Sequence, residues 1–161
     1  MRRVLTLVIF LAAAVQSAAA DIFDGQVTED ILYYDVSATT AWGLRKEMQR
    51  KGPKGYWGYA RWWVSWTSEC EITVKQTIHM PRHRNPEELT PELRKRWDSM
   101  VAALLRHERQ HARHGELAAQ QIEAANCVGA YEIIDRWAAQ DKAYDLRTDH
   151  GRKEGVTLPQ K

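Results

Sequence analysis

Two histidines and a glutamate in the second half of the chain have the residue types and spacing of a metal-dependent hydrolase. His107 and His111 are four residues apart, so on an α-helix their imidazoles project from one face and could hold one metal ion. Glu108 lies beside them, where a carboxylate can take a proton from metal-bound water without being a ligand. This is the H-E-x-x-H arrangement, and it predicts Zn²⁺ as the cofactor.

A long amphipathic helix must position these residues. Apolar side chains recur at intervals of three and four, and both histidines fall on the same stripe, which is expected to face the core. The helix is predicted to begin at 90–92, to run toward Asn126 and to bend near Gly115. The alternative is a pair of core histidines bonded to the backbone. The apolar members of the stripe are Trp97, Val101, Leu104, Ala118 and Ile122.

A catalytic zinc usually keeps three protein ligands, so a third must come from elsewhere in the chain. His114 shares the helix face, but about 10 Å of axial rise separates it from His107. Glu132 is a candidate on the following helix. His150 precedes a glycine in a segment that could fold back over the first helix, and the residues alone leave Glu132 and His150 both open.

The first twenty residues predict an export signal. Arg2 and Arg3 precede a short apolar run, and residues 18–20 are three alanines that suit cleavage before Asp21. The alternative is an uncleaved membrane anchor, although the run is short for a bilayer span. We therefore expect a signal peptide at 1–20 and one mature domain at 21–161 in the periplasm or medium, with no membrane span after cleavage.

The mature chain has no excess of either charge. Of 23 Lys and Arg, two lie in residues 1–20, and none of the 21 Asp and Glu do, which leaves 21 of each. There is no electrostatic case for binding nucleic acid or an anionic membrane.

Two cysteines, Cys70 and Cys127, are far apart and outside any C-x-x-C spacing. In an oxidising compartment the simplest expectation is one disulfide closing a long loop. The alternative is two buried thiols or one thiolate nucleophile.

Residue patterns predict an α+β fold: a small antiparallel sheet packed on the H-E-x-x-H helix and on a second, C-terminal helix. Alternation of apolar and polar residues indicates strands, and caps and breakers bound the helices. The predicted strands are 30–37, 60–67 and 71–78, and the predicted helices besides the long one are 41–51 and 128–142, followed by a loop-like tail.

The sequence also predicts which of four tryptophans and which histidine are buried or exposed. Trp62 and Trp66 are predicted to face the core, whereas Trp57 and Trp63 could stay exposed. Residues 80–88 are predicted to form a polar loop, with His83 at the surface.

Several of these features together resemble the bacterial family known as domain of unknown function 922, described as predicted secreted zinc-dependent proteases. The resemblance covers nearly all of the mature chain. It is carried by the tyrosine-rich first strand, Gly52-Pro53, the Trp-rich strand, Cys70, His107-Glu108-x-x-His111, Cys127, and Tyr144-Asp145-x-x-Thr148-x-His150-Gly151 with Gly155.

The resemblance implies a zincin-like metallopeptidase with His107 and His111 as ligands and His150 as the third. Glu108 would be the general base. Asp145 could orient a ligating imidazole and Tyr144 could donate to an oxyanion, or both could be packing and capping residues of the tail.

The sequence therefore predicts an exported zinc-dependent hydrolase acting on peptides or proteins of the cell envelope. One alternative is an exported zinc-containing binding or assembly module without activity. Another is a carbohydrate-binding protein built on the Trp-rich sheet, which exposed Trp57 and Trp63 beside one cleft would favour.

Overall fold

The computed structural model describes Phe23 and residues 25–159, so the predicted signal peptide lies outside the described residues. The fold is α+β, as predicted, with three strands and three helices that follow one another as β1, α1, β2, β3, α2 and α3. Their bounds are Gln26–Val36 (β1), Ala41–Lys51 (α1), Tyr59–Trp66 (β2), Ile72–His83 (β3), Pro91–Ala124 (α2) and Ala130–Thr148 (α3).

The sheet has the order β1-β3-β2 and is mixed, not antiparallel as predicted. β2 and β3 are antiparallel, with Val64 opposite Val74, because a short turn joins them. β1 instead pairs in parallel with the other edge of β3, with Ile31 opposite Ile78. Since α1 and a turn separate β1 from β2, no tight hairpin fixes the direction of β1, and the sequence pattern does not encode it.

Alternate side chains of the central strand β3 are buried, among them Val74, Ile78 and Met80. β3 continues to His83, five residues beyond the predicted end at 78. His83 is buried, with Nε2 3.1 Å from the carbonyl oxygen of Ala38 and its ring edge against Trp97. The prediction of a surface histidine at 83 was therefore wrong, and the predicted polar loop begins at residue 84, not at 80.

Helix α2 crosses the sheet and carries the H-E-x-x-H residues. Thr90 caps it by accepting a hydrogen bond from the Leu93 amide at 3.3 Å, and Pro91 follows at the first helical position. The helix is continuous over 34 residues, without a break at Gly115. Gly115 permits close packing instead, because a Cβ there would lie 2.7 Å from Cβ of Trp62.

Helix α3 packs along α2 and ends six residues later than the sequence predicted. It includes Tyr144 and Asp145, which were expected in a loop-like tail. After it, Asp149, His150 and Gly151 all have positive φ angles, of 53°, 49° and 78°. They turn the chain into a short helical turn at Arg152–Glu154 that folds back toward α2.

A disulfide joins Cys70 to Cys127, as predicted. It links the turn between β2 and β3 to the connection between α2 and α3, and it closes a loop with a sequence separation of 57. No helix among residues 25–159 is long and apolar enough to cross a membrane.

Candidate metal centre

A cleft of about 640 Å³ lies between α2, α3 and the turn that precedes β2. His107, Glu108 and His111 line it from α2. α3 contributes Asp141 and Asp145 to the opposite side. The three predicted H-E-x-x-H side chains thus face one cavity, and a second helix supplies carboxylates to it.

Three donor atoms in this cleft form a nearly equilateral triangle. Nε2 of His107 and Nε2 of His111 are 3.3 Å apart. Oδ1 of Asp145 lies 3.3 Å from the former and 3.2 Å from the latter. In a tetrahedral zinc site with bonds of about 2.0–2.1 Å, neighbouring ligand atoms are about 3.3 Å apart. Two imidazole nitrogens and one carboxylate oxygen in this arrangement therefore fit a bound metal ion.

The other ring nitrogen of each imidazole, Nδ1, is also within hydrogen-bonding distance of a carboxylate. Nδ1 of His107 lies 2.8 Å from Oε2 of Glu154 and 3.2 Å from the hydroxyl of Tyr144. Nδ1 of His111 lies 3.1 Å from Oδ1 of Asp141. Carboxylates in this position fix the tautomer and orientation of ligating histidines and raise their basicity. With Nδ1 engaged in this way, the Nε2 atoms of both imidazoles face the cleft and are the atoms that a metal ion would use.

The His107 ring is further fixed by packing. Tyr144 stacks on it with ring centres 4.9 Å apart and donates its hydroxyl to Glu154 at 2.8 Å. Gly151 covers the other part of the ring, since a Cβ there would lie 3.1 Å from Cγ of His107. The turn after α3 thus contributes a glycine and a glutamate that hold the His107 ring in place.

Asp141 is the centre of a second buried group, which also contains His111 and His114. Nδ1 of His114 contacts Oδ1 of Asp141, and the indole N–H of Trp62 donates to Oδ2 at 3.0 Å. His111 belongs to both groups, with Nδ1 toward Asp141 and Nε2 toward Asp145. This network connects α2, α3 and β2 and supports the orientation of His111.

Glu108 is buried beside the histidines, with 5 % of its surface exposed. Its carboxylate accepts a hydrogen bond from the Ala60 amide. Burial raises the pKa of Glu108 to about 7, although the nearby imidazoles of His107 and His111 act in the opposite direction. A carboxylate with this pKa is suited to exchange protons near neutral pH.

The histidine and aspartate charges stabilise each other. Burial alone would lower the pKa of His111, but the carboxylates of Asp141 and Asp145 outweigh burial and raise it to about 10. Burial likewise acts to raise the pKa of Asp145, yet its hydrogen bonds to His107 and His111 hold that pKa well below the usual range. The centre is therefore an anionic site that stabilises positive charge between its side chains.

The turn that forms the opposite wall of the cleft is tied to its surroundings. Tyr34 on β1 donates its hydroxyl to the carbonyl oxygen of Trp57 at 2.6 Å. Within the turn, Nζ of Lys54 donates to the hydroxyl of Tyr59, also at 2.6 Å. These bonds fix the wall that faces Glu108.

The predicted third-ligand candidates lie in different places. His150 lines the cleft, with Nδ1 3.5 Å from Oδ1 of Asp145, and 54 % of its side chain is exposed. Its role as a ligand stays a prediction. Glu132 is exposed in the first turn of α3 and belongs to neither buried group of described residues. Asp145, expected to orient a ligand from outside, directs its carboxylate at both inner nitrogens.

The sequence reasoning missed Asp141 and Glu154. Asp141 and Asp145 are four residues apart, the same spacing as the two histidines, and this signal was available. This spacing places both carboxylates on one helix face only if the helix reaches residue 145, whereas the sequence predicted that it ends at 142. Glu154 had no such signal, because it meets His107 across a separation of 47 residues.

The two tryptophans that would have favoured carbohydrate binding do not share the cleft. Trp57 lines it and is half-buried. Trp63 is 41 % exposed outside the cleft, where the guanidinium of Arg61 covers its ring at 4.8 Å.

Fold and site together define an α+β protein whose two packed helices hold buried His and Asp groups that could bind a metal ion. The model of a family described as bacterial proteins of unknown function (DUF922) matches residues 31–151, and the chain belongs to this family. The resemblance drawn from the motifs is thereby confirmed. No curated protein and no solved structure matches the chain, so the likeness to zincins stays a prediction.

Proposed function

We propose that this protein is an exported zinc-dependent hydrolase, and most concretely a metallopeptidase. The observation that carries the proposal is the triangle of Nε2 of His107, Nε2 of His111 and Oδ1 of Asp145, with the buried carboxylate of Glu108 on the same helix. Three ligands leave one coordination position open, as in catalytic zinc sites.

Each side chain has a defined role in this proposal. His107, His111 and Asp145 hold the ion, and His150 is the alternative third ligand. The chemistry that zinc supplies when bound is Lewis acidity, which makes water nucleophilic near neutral pH and polarises a carbonyl group. Glu108 accepts the proton of the attacking water and returns it to the leaving amine.

A peptide substrate is supported by the position of β2. Among the described strands it pairs only with β3, so no described strand covers its other edge. Tyr59 and Ala60 at its beginning line the cleft next to Glu108. An extended peptide can bind such an edge through main-chain hydrogen bonds, which would bring its carbonyl groups to the metal centre.

Export is supported by the disulfide between Cys70 and Cys127, since such bonds persist in oxidising compartments. The predicted signal peptide at 1–20 agrees with it. We therefore place the substrate among peptides or proteins of the cell envelope.

The deciding experiment compares Glu108→Gln with the wild type in zinc content and in hydrolysis of an unfolded protein substrate. The amide keeps the size of the side chain but cannot accept the proton, so we expect one zinc per chain in both proteins and a loss of rate of at least about a hundredfold in the variant. Glu123→Gln, at the exposed end of α2, is the matched control and should leave the rate unchanged.

Two outcomes would contradict the proposal. Undiminished cleavage by Glu108→Gln would exclude Glu108 as the base. A wild-type protein that binds zinc with four protein ligands and cleaves nothing would instead be the inactive binding or assembly module.

A further inference from the structure

Two lysines at the walls of the cleft have no acidic partner in the part of the chain that the structure describes. Lys142 lines the cleft from α3 and is exposed, and no described carboxylate lies within 4.0 Å of its ammonium group. Lys54 lines it from the opposite turn, where its contacts are to Tyr59: Nζ donates to the hydroxyl and lies 4.6 Å from the ring centre. Both charges are free to meet an anion in the cleft.

The acidic residues of the cleft, in contrast, are already engaged. Asp141 accepts hydrogen bonds from two histidines and Trp62, and Asp145 faces the two ligating imidazoles. Asp149 pairs with Nε of Arg152 at 3.1 Å. Glu108 is buried and accepts the Ala60 amide. A substrate that enters the cleft therefore meets the ammonium groups of Lys54 and Lys142, which pair with no carboxylate among the described residues.

The backbone at Lys54 makes its placement more specific. Its φ angle is 54°, a left-handed conformation that non-glycine residues adopt infrequently. A lysine therefore stands where glycine would be easier, and its ammonium group is held at the cleft by the Tyr59 hydroxyl. The hydrogen bond to Tyr59 thus keeps the Lys54 ammonium group beside a residue that also lines the cleft.

We propose that the cleft selects peptides with a carboxylate close to the scissile bond, bound by Lys142 and Lys54. The carboxylate is either an Asp or Glu side chain or a free C-terminus, because both present the same two oxygens to an ammonium group. The scissile bond itself rests on the proposed function, whereas the charge preference of the cleft does not.

The test uses calorimetry to measure the binding of peptides to Glu108→Gln protein that has been incubated with zinc. The peptides have equal length and differ at one central residue, Glu or Gln, and each is made with a C-terminal acid and with an amide. We expect the carboxylate forms to bind about fivefold more tightly than their neutral counterparts. The preference should decrease at high salt.

Variants then assign the preference to residues. In the same background, Lys142→Met and Lys54→Met should each weaken binding of the carboxylate peptides about two- to fivefold and leave the neutral peptides unchanged. Lys95→Met is the matched control, since Lys95 is exposed on α2 outside the cleft and the change in net charge is the same.

Each outcome decides the proposal. Comparing the affinities of the Glu and Gln peptides shows whether a side-chain carboxylate is bound. Comparing the C-terminal acid with the amide shows whether the terminal carboxylate is bound. Equal binding of all peptides, no binding of any, or equal effects of Lys95→Met and Lys142→Met would overturn it. If acidic peptides bind selectively but the wild type hydrolyses none, the hydrolase proposal fails and the charge selectivity stands.

Discussion

Oδ1 of Asp145 lies 3.3 Å from Nε2 of His107, although the two residues belong to different helices. The packing of α3 along α2 creates this contact, and the same carboxylate oxygen reaches His111 at 3.2 Å. The candidate metal centre is therefore built between two helices. The turn after α3 adds Glu154, which contacts Nδ1 of His107.

Replacing Asp145 with alanine tests whether Asp145 is the third zinc ligand. We expect Asp145→Ala to weaken zinc affinity by more than about a hundredfold, since loss of a ligand should exceed the effect of losing an outer partner. Equilibrium dialysis against zinc measures it. Glu132→Ala, with its side chain exposed at the far end of α3, should bind zinc like the wild type.

His150→Ala completes that comparison. If Asp145 is the ligand, loss of the His150 imidazole should weaken zinc binding much less than Asp145→Ala does. Loss of zinc in His150→Ala together with retention in Asp145→Ala would instead establish the ligand set that the sequence predicted.

The parts of the site that could be predicted from the sequence are those encoded locally. His107, Glu108 and His111 lie within one and a half helical turns, so their common face follows from helix geometry alone. Thr90 and Pro91 signalled the start of the same helix, and the disulfide followed from two cysteines in a chain with a predicted export signal.

The parts that could not be predicted depend on contacts between distant segments. The parallel direction of β1 is set by pairing with β3, and Glu154 meets His107 only because the chain turns back after α3. The end of α3 was missed for a related reason. Residues 143–148 carry no strong stop signal, and packing against α2 keeps them helical until Asp149 adopts a φ of 53°.

Glu154 should tune the metal centre through His107. Glu154→Gln replaces the carboxylate that accepts from Nδ1 of His107 with a weaker acceptor. We expect zinc affinity to fall about tenfold to a hundredfold, without loss of the fold. Tyr144→Phe is the companion variant, because it removes the hydroxyl contact and keeps the ring stacked on His107. Unchanged affinity in both would show that these contacts do not support the ligand.

The disulfide should contribute to stability and not to the metal centre. Closing a loop with a separation of 57 residues restricts the unfolded chain and is expected to contribute about 4 kcal/mol. The double variant Cys70→Ser/Cys127→Ser should therefore unfold at lower denaturant concentration than the oxidised wild type. Zinc content should be the same in both folded proteins, since neither cysteine lines the cleft. Loss of zinc from the folded variant would contradict this separation.

Gly58 provides the space in which the Glu108 carboxylate lies. A Cβ at this position would be 2.6 Å from Oε1 of Glu108 and 2.8 Å from Cδ1 of Leu104, so Gly58→Ala must displace the Glu108 side chain. A displacement of about 1 Å can reduce a rate about a hundredfold, and we expect a loss of that order in kcat/KM. Zinc content should be unchanged, because the three atoms nearest to the new methyl group belong to Glu108 and Leu104. Gly58→Ser adds one more atom and should lose more activity. Zinc loss in Gly58→Ala would mean that the turn supports the ligands, and full activity would mean that Glu108 needs no fixed position.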